Sequence, residues 1–100
     1  MVDMDYLIKN NLTLLHWVAR SGHKDVLQQF LDRGADPNMA SLSGFTPPRE
    51  AAYKGHKAVV QLLQDRGAEP NMVSHHGFTP LHKAAIEGHK YVVQLLLDRG

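Results

Sequence analysis

The sequence predicts an all-α repeat solenoid, in which short helix-turn-helix units stack side by side and β-hairpin loops join them. Three observations carry that prediction. Asn11–Gly34 (NLTLLHWVARSGHKDVLQQFLDRG), Gly44–Gly67 (GFTPPREAAYKGHKAVVQLLQDRG) and Gly77–Gly100 (GFTPLHKAAIEGHKYVVQLLLDRG) align at a constant offset of 33 positions. Thr13, Thr46 and Thr79 fall in register, as do Gly22-His23, Gly55-His56 and Gly88-His89, and an Asp-Arg-Gly triplet closes each copy. The apolar residues inside each copy recur at helical, not strand, spacing. A fixed period of this length marks a stack of supersecondary units that cannot bury their apolar faces alone.

Each copy divides into two helices. Thr79 is a good N-cap, since its hydroxyl can accept from an otherwise unpaired backbone N–H, and Pro80 suits the first helical position, where no N–H is needed. Leu81, Ala84 and Ala85 follow on one face, small enough for close packing, and Gly88 ends the helix. The second helix spans about Lys90 to Arg99, with Val92, Val93, Leu95, Leu96 and Leu97 as a wide apolar stripe. Gly34, Gly67 and Gly100 stand where a helix favours a left-handed residue beyond its end. Neither helix is long enough to persist alone in water. The connections GADPNMASLSGF (34–45) and GAEPNMVSHHGF (67–78) are rich in Gly, Pro, Asn and Ser, which predicts turns with a short hairpin. The whole chain, residues 1–100, reads as one domain, with units at about 8–40, 41–73 and 74–100.

Composition narrows the function classes. The formal charge is +1, which offers no field to recruit nucleic acid or anionic lipid. Cysteine is absent, so disulfides and thiolate chemistry are excluded, in keeping with a reducing compartment. Apolar runs are too short for a membrane span. The opening MVDMDYLIKN carries acidic residues where a signal peptide carries basic ones. The expectation is an intracellular, cytoplasmic protein.

Thr79-Pro80-Leu81-His82-Lys83-Ala84-Ala85, then Gly88-His89 and the Leu-rich helix ending in Asp98-Arg99-Gly100, closely resembles the ankyrin repeat, whose core is T-P-L-H-x-A. The resemblance covers roughly residues 8 to 100 and rests on three copies in register. It implies helix pairs with hairpin fingers projecting at right angles, and a non-catalytic scaffold for protein–protein interaction. Binding in the family uses the concave face made by the finger tips and the first helix of each pair. Carried onto this chain, the tips are Ala40, Leu42, Ser43 and Phe45, then Val73, His75, His76 and Phe78. The ends of the first helices are Arg20 and Ser21, Tyr53 and Lys54, and Ile86 and Glu87. These positions differ most between the copies, whereas caps, glycines and second-helix leucines barely change.

The departures from the pattern carry expectations of their own. Ser41 and Ser74 replace the family's finger aspartate, and their hydroxyls are expected to bond locally but more weakly. Pro48 and Arg49 replace the Leu and His of the third copy. In the family that His bonds the Thr hydroxyl and links adjacent loops, so His16 and His82 are expected to do so, Arg49 is not, and local weakness is expected over residues 44–52. The first unit looks half-adapted to a terminus: Leu14 replaces proline, Gln29 replaces the Leu62 and Leu95 of the other copies, and Met4, Tyr6, Leu7 and Ile8 are expected to fold over that end. The third unit has no visible neighbour for its apolar face, so either the array continues or this face pairs with another chain.

Other constellations are weighed against simpler readings. His16, His23, His56, His82 and His89 occupy repeated scaffold positions, which points to structural hydrogen bonding. His75 and His76 are adjacent on a finger tip, where two imidazoles without a fixed acidic partner make a poor zinc site. Trp17, aligned with Glu50 and Lys83, is either a binding anchor or a cover for the N-terminal edge; tryptophan is enriched at hot spots. Phe45 and Phe78 read as packing more than anchoring, and Tyr53 with Ile86 as a small apolar patch on the concave side. Lys54, Lys57, Lys83, Lys90, Glu50 and Glu87 read as a solvated fringe of mixed sign. No catalytic motif, phosphate-binding loop or metalloprotease helix is present. Two functions are thus expected in order: recognition of a partner protein, or of another domain of the same polypeptide, through Trp17, Arg20, Leu42, Ser43, Phe45, Tyr53, Lys54, His75, His76, Phe78, Ile86 and Glu87; or self-association through the C-terminal repeat. No cofactor, nucleic-acid partner or membrane partner is expected.

Overall fold

The computed structural model describes residues 14–41, 43–69 and 71–99. The fold-back of Met4, Tyr6, Leu7 and Ile8, the finger residue Leu42 and the terminal Gly100 lie outside the described residues. Six helices follow one another among the described residues: α1 (Leu14–Ser21), α2 (Lys24–Asp32), α3 (Pro47–Lys54), α4 (Lys57–Asp65), α5 (Pro80–Ile86) and α6 (Lys90–Arg99). They make two layers. α1, α3 and α5 pack side by side in one, α2, α4 and α6 in the other, and the two helices of each unit pack on each other. No described helix is long and apolar enough to cross a membrane.

The helices start and stop where their end residues dictate. Thr46 and Thr79 are extended N-caps followed by proline. The Thr79 hydroxyl accepts from the His82 N–H at 3.2 Å, and His82 Nδ1 accepts from the Thr79 N–H at 3.1 Å, which closes a capping box. Thr46 makes only the first half, accepting from the Arg49 N–H at 3.4 Å. The joint between paired helices is a Gly-His turn with a mechanical reason. His56 Nε2–H donates to the Arg20 carbonyl at 2.9 Å, and His89 Nε2–H to the Tyr53 carbonyl at 2.8 Å. Each imidazole therefore satisfies an end carbonyl of the preceding unit's first helix, which the helix itself leaves unpaired. The same rings lie so close to Gly22 and Gly55 that a Cβ there would sit 2.7 and 2.6 Å from them, at φ +79° in both. Only glycine fits both the backbone and the neighbour.

The core lies between the layers. Ala19, Ala51, Ala52 and Ala84 let the helices approach, and Leu15, Leu27, Leu31, Val59, Val60, Leu63, Val92 and Leu96 fill the space. Full burial of each Leu or Val contributes roughly 1.5–3 kcal/mol. Gln64, aligned with Leu31 and Leu97, has both amide atoms buried with no hydrogen-bond partner among the described residues.

The fingers are tighter than the hairpins expected from the sequence. Ser41 N–H donates to the Phe45 carbonyl and Ser74 N–H to the Phe78 carbonyl, each at 2.9 Å, and no strand forms among the described residues. Ser41 and Ser74 do bond locally, their hydroxyls accepting from the Phe45 and Phe78 N–H at 3.2 and 3.4 Å. Asn38 ties one connection to the next: its side chain accepts from the Glu69 N–H at 2.6 Å and donates to the Gly67 carbonyl at 3.3 Å. The repeated triplets also pair across units, Arg66 with Asp32 at 2.8 Å and Arg99 with Asp65 at 2.6 Å. Both pairs are exposed, which keeps each within about 1 kcal/mol.

The middle unit replaces its missing leucine and imidazole. Pro48 is fully buried, and the Arg49 guanidinium lies 3.6 Å from the Phe45 ring centroid. α3 also has a neighbouring helix on either side, α1 and α5. The weakness expected over 44–52 is thus opposed by packing that the sequence pattern does not display.

Candidate functional site

The inner layer, α1, α3 and α5, is where the three copies differ in exposed side chains. Trp17 and Arg20 on α1, Tyr53 on α3 and Ile86 on α5 result from substitutions at two repeat positions, 17/50/83 and 20/53/86. The cores around them are nearly constant, so these helices hold different side chains at equivalent places.

Tyr53 stands at the centre. Four cations surround its ring: Lys83 Nζ at 5.1 Å, Arg49 Cζ at 5.2 Å, Lys54 Nζ at 5.3 Å and Arg20 Cζ at 6.0 Å from the centroid. Arg20 also lies 5.6 Å from the Trp17 ring, and Lys83 5.4 Å from that of Phe78. An aromatic face attracts a cation through its quadrupole, by about 0.5–1 kcal/mol where water competes. The contacts hold long, flexible side chains over one patch. Trp17 remains 49% exposed within it.

Beneath the patch lies the residue that sequence reasoning misplaced. Glu50 was expected in a solvated fringe; its carboxylate is 2% exposed. Oε1 accepts from an Arg49 guanidinium N–H at 2.9 Å, while Oε2 has no hydrogen-bond partner and lies 3.9 Å from Arg20 Nε. A buried carboxylate persists only where a cation compensates its lost hydration. Arg49 supplies that, and the stack on Phe45 fixes its guanidinium in place. The correction has a simple cause. Alignment places position 50 beside an exposed Trp17 and a half-buried Lys83, and no periodic signal tells that the side chain turns inward towards Arg49.

The remaining predicted residues divide. Phe45 is half-buried and Phe78 exposed, the first beside Arg49 and the second beside Lys83, and both lie close to histidines: Phe45 lies 6.5 Å from His76, and Phe78 5.9 Å from His82. His75 and His76 are exposed on the second finger, and the His75 N–H donates to the Ser43 carbonyl at 3.1 Å, joining the two fingers. Ile86 and Glu87 are exposed at the end of α5. Charged side chains flank the Tyr53 ring of the apolar patch expected from Tyr53 and Ile86.

His82 and His16 each show one half of the expected role, and the bond expected between His16 and Thr13 lies outside the described residues. His82 bonds the Thr79 hydroxyl at 2.8 Å, and His16 Nε2–H is shared between the Met39 and Phe45 carbonyls at 2.8 and 2.9 Å, linking its helix to the next finger.

Comparison with known families agrees with this geometry. The model of ankyrin repeats in three copies matches residues 15–100. No curated protein is similar enough to count as a relative. With three in-register helix pairs and a three-copy match over most of its length, the chain belongs to the ankyrin-repeat family.

Proposed function

We propose that the chain is a non-catalytic recognition module that holds a partner protein, or another domain of its own polypeptide, against α1, α3, α5 and the finger turns. Ankyrin repeats generally mediate protein–protein interaction. The observation that carries the reading here is the half-exposed cluster of Trp17, Arg20 and Tyr53 on the inner layer, since Trp, Tyr and Arg dominate binding hot spots. An intracellular, cytoplasmic setting fits the cysteine-free sequence. Affinity capture with the wild-type chain and with Trp17→Ala and Tyr53→Ala tests it. The captured partner is expected to be lost with either variant, and a partner held equally well by both variants overturns the proposal.

A second reading, self-association, is favoured by the open groove lined by Ala85, Gly88, Val93 and Leu97. Leu97 is the informative residue there. Leu96 lies in the core, so Leu96→Glu would unfold the unit, whereas Leu97 is exposed. Light scattering on a size-exclusion column over a concentration series is expected to give a dimer that Leu97→Glu abolishes. A concentration-independent monomer excludes this second reading.

A further inference from the structure

Around Tyr53 the charges do not balance. Arg20, Arg49, Lys54 and Lys83 converge on one ring, and the single carboxylate among them, Glu50, is buried and already bonded to Arg49. Lys54 and Lys83 have no ion-pair partner among the described residues, and Arg20 only the long 3.9 Å approach to Glu50. Glu87, the nearest acidic residue in sequence to α5, pairs with none of them. This concentration of like charge sits in a chain whose formal charge is only +1. Cations held close together repel one another, and a docked anion relieves that repulsion while forming bonds of its own.

We propose that this patch takes an acidic segment of the partner protein, with aspartate or glutamate side chains seated between Arg20, Lys54 and Lys83 and the backbone of that segment against Trp17. The inference rests on the recognition reading above and adds the partner's chemistry to it. The geometry favours carboxylates on a short peptide over a nucleic-acid backbone. Phosphates recur along a strand and call for a line of cations, whereas these converge on a single ring within 6.0 Å. Arg20 offers a guanidinium fork for a carboxylate, and Lys54 and Lys83 act as mobile point charges beside it.

The chain's sole tryptophan, Trp17, reports on the site. The test titrates Trp17 fluorescence with a dodecapeptide alternating Glu with Ser and Gly, and with the same peptide carrying Gln for every Glu. The acidic peptide is expected to shift Trp17 saturably and to be weakened at least fivefold by half-molar salt. Arg20→Gln/Lys83→Gln should weaken it about tenfold, a few-fold for each partly exposed charge. The control pair Lys24→Gln/Lys57→Gln, exposed on α2 and α4, should bind as wild type. Circular dichroism confirms that both double variants remain helical. Equal weakening by both pairs, or no saturable shift with the acidic peptide, overturns the proposal. Equal binding of the Glu and Gln peptides, abolished by Tyr53→Ala, overturns the charge preference but leaves recognition by this face standing. Tighter binding of a dodecathymidylate, lost in the Arg20→Gln/Lys83→Gln variant, assigns the cations to phosphate and likewise overturns it.

Discussion

Returning the middle unit to the pattern of its neighbours should destabilise it. Glu50 is 2% exposed and its one hydrogen bond comes from Arg49, itself only 13% exposed, so the pair is effectively desolvated. Removing one member of such a pair leaves an uncompensated charge, at a cost of about 3–5 kcal/mol. Arg20 at 3.9 Å remains to share the load, which puts Arg49→Met at the lower end, about 3 kcal/mol. For a domain of this size that corresponds to a fall in Tm of roughly 12–24 °C. In a Glu50→Gln background the same substitution removes a hydrogen bond from the guanidinium to an uncharged amide and the stack on Phe45, but also a poorly compensated cation, so its net cost falls to about 1 kcal/mol. The double-mutant cycle, measured by urea denaturation followed by circular dichroism, should therefore give a coupling of about 2 kcal/mol. A coupling below about 0.5 kcal/mol, the range of independent sites, would show that the burial of Glu50 does not depend on Arg49. The sharper form restores the third unit's residues. Pro48→Leu/Arg49→His should lower stability while Glu50 remains, and recover it when Glu50→Lys is added.

Four further outcomes follow from the packing. Gly88→Ala meets nothing within 4 Å and should cost only its positive φ, about 1 kcal/mol, whereas Gly55→Ala also displaces His89 from the Tyr53 carbonyl and should cost about 2–4 kcal/mol by urea denaturation. Gln64→Leu replaces a buried amide without partners by the residue found at positions 31 and 97, and should raise stability by about 1–3 kcal/mol; a loss would mean that the amide has a use unseen here. Asn38→Ala removes both bonds between successive connections and should cost about 1 kcal/mol in thermal melts, with faster amide exchange at Glu69. Amides of Ala51 and Ala52, in a helix flanked on both sides, should exchange more slowly than those of Ala84 and Ala85; the reverse order would restore the weakness expected from Pro48 and Arg49 alone.

The parts of this fold legible in the sequence are those that repeat. Thr46 and Thr79 cap, Gly55-His56 turns the chain, and the second-helix leucines face the core, because each meets the same neighbour one unit away. A 33-position offset exposes that shared environment directly. The structural hydrogen bonding of His56 and His89 is legible as a role without a target, since the acceptor is a backbone carbonyl and leaves no mark on residue identity. The fingers were over-read as hairpins because Gly, Pro, Asn and Ser specify a reversal of the chain, not the number of ladder bonds on either side. The candidate site was legible as a face but not as an arrangement. Trp17, Arg20 and Tyr53 stood out as variable positions, yet their mutual distances depend on how far one inner helix is displaced from the next.

Glu50 explains why the middle unit resists reading one residue at a time. Taken singly, Arg49 breaks a hydrogen-bonded imidazole position, Glu50 puts a charge next to the buried Ala51 and Ala52, and Tyr53 departs from its counterparts Arg20 and Ile86. Together they interlock: Glu50 holds Arg49, Phe45 and Tyr53 carry its guanidinium, and Arg20 from the preceding unit leans over both the ring and the carboxylate. Each substitution is unfavourable without the others, so their combined effect cannot be the sum of separate departures from a consensus. The same interlock links structure to binding. By burying the one carboxylate of the cluster, the middle unit leaves Lys54 and Lys83 without an ion-pair partner among the described residues and Arg20 with only its 3.9 Å approach to Glu50, and the proposed preference for anions is one that no single one of these residues would confer.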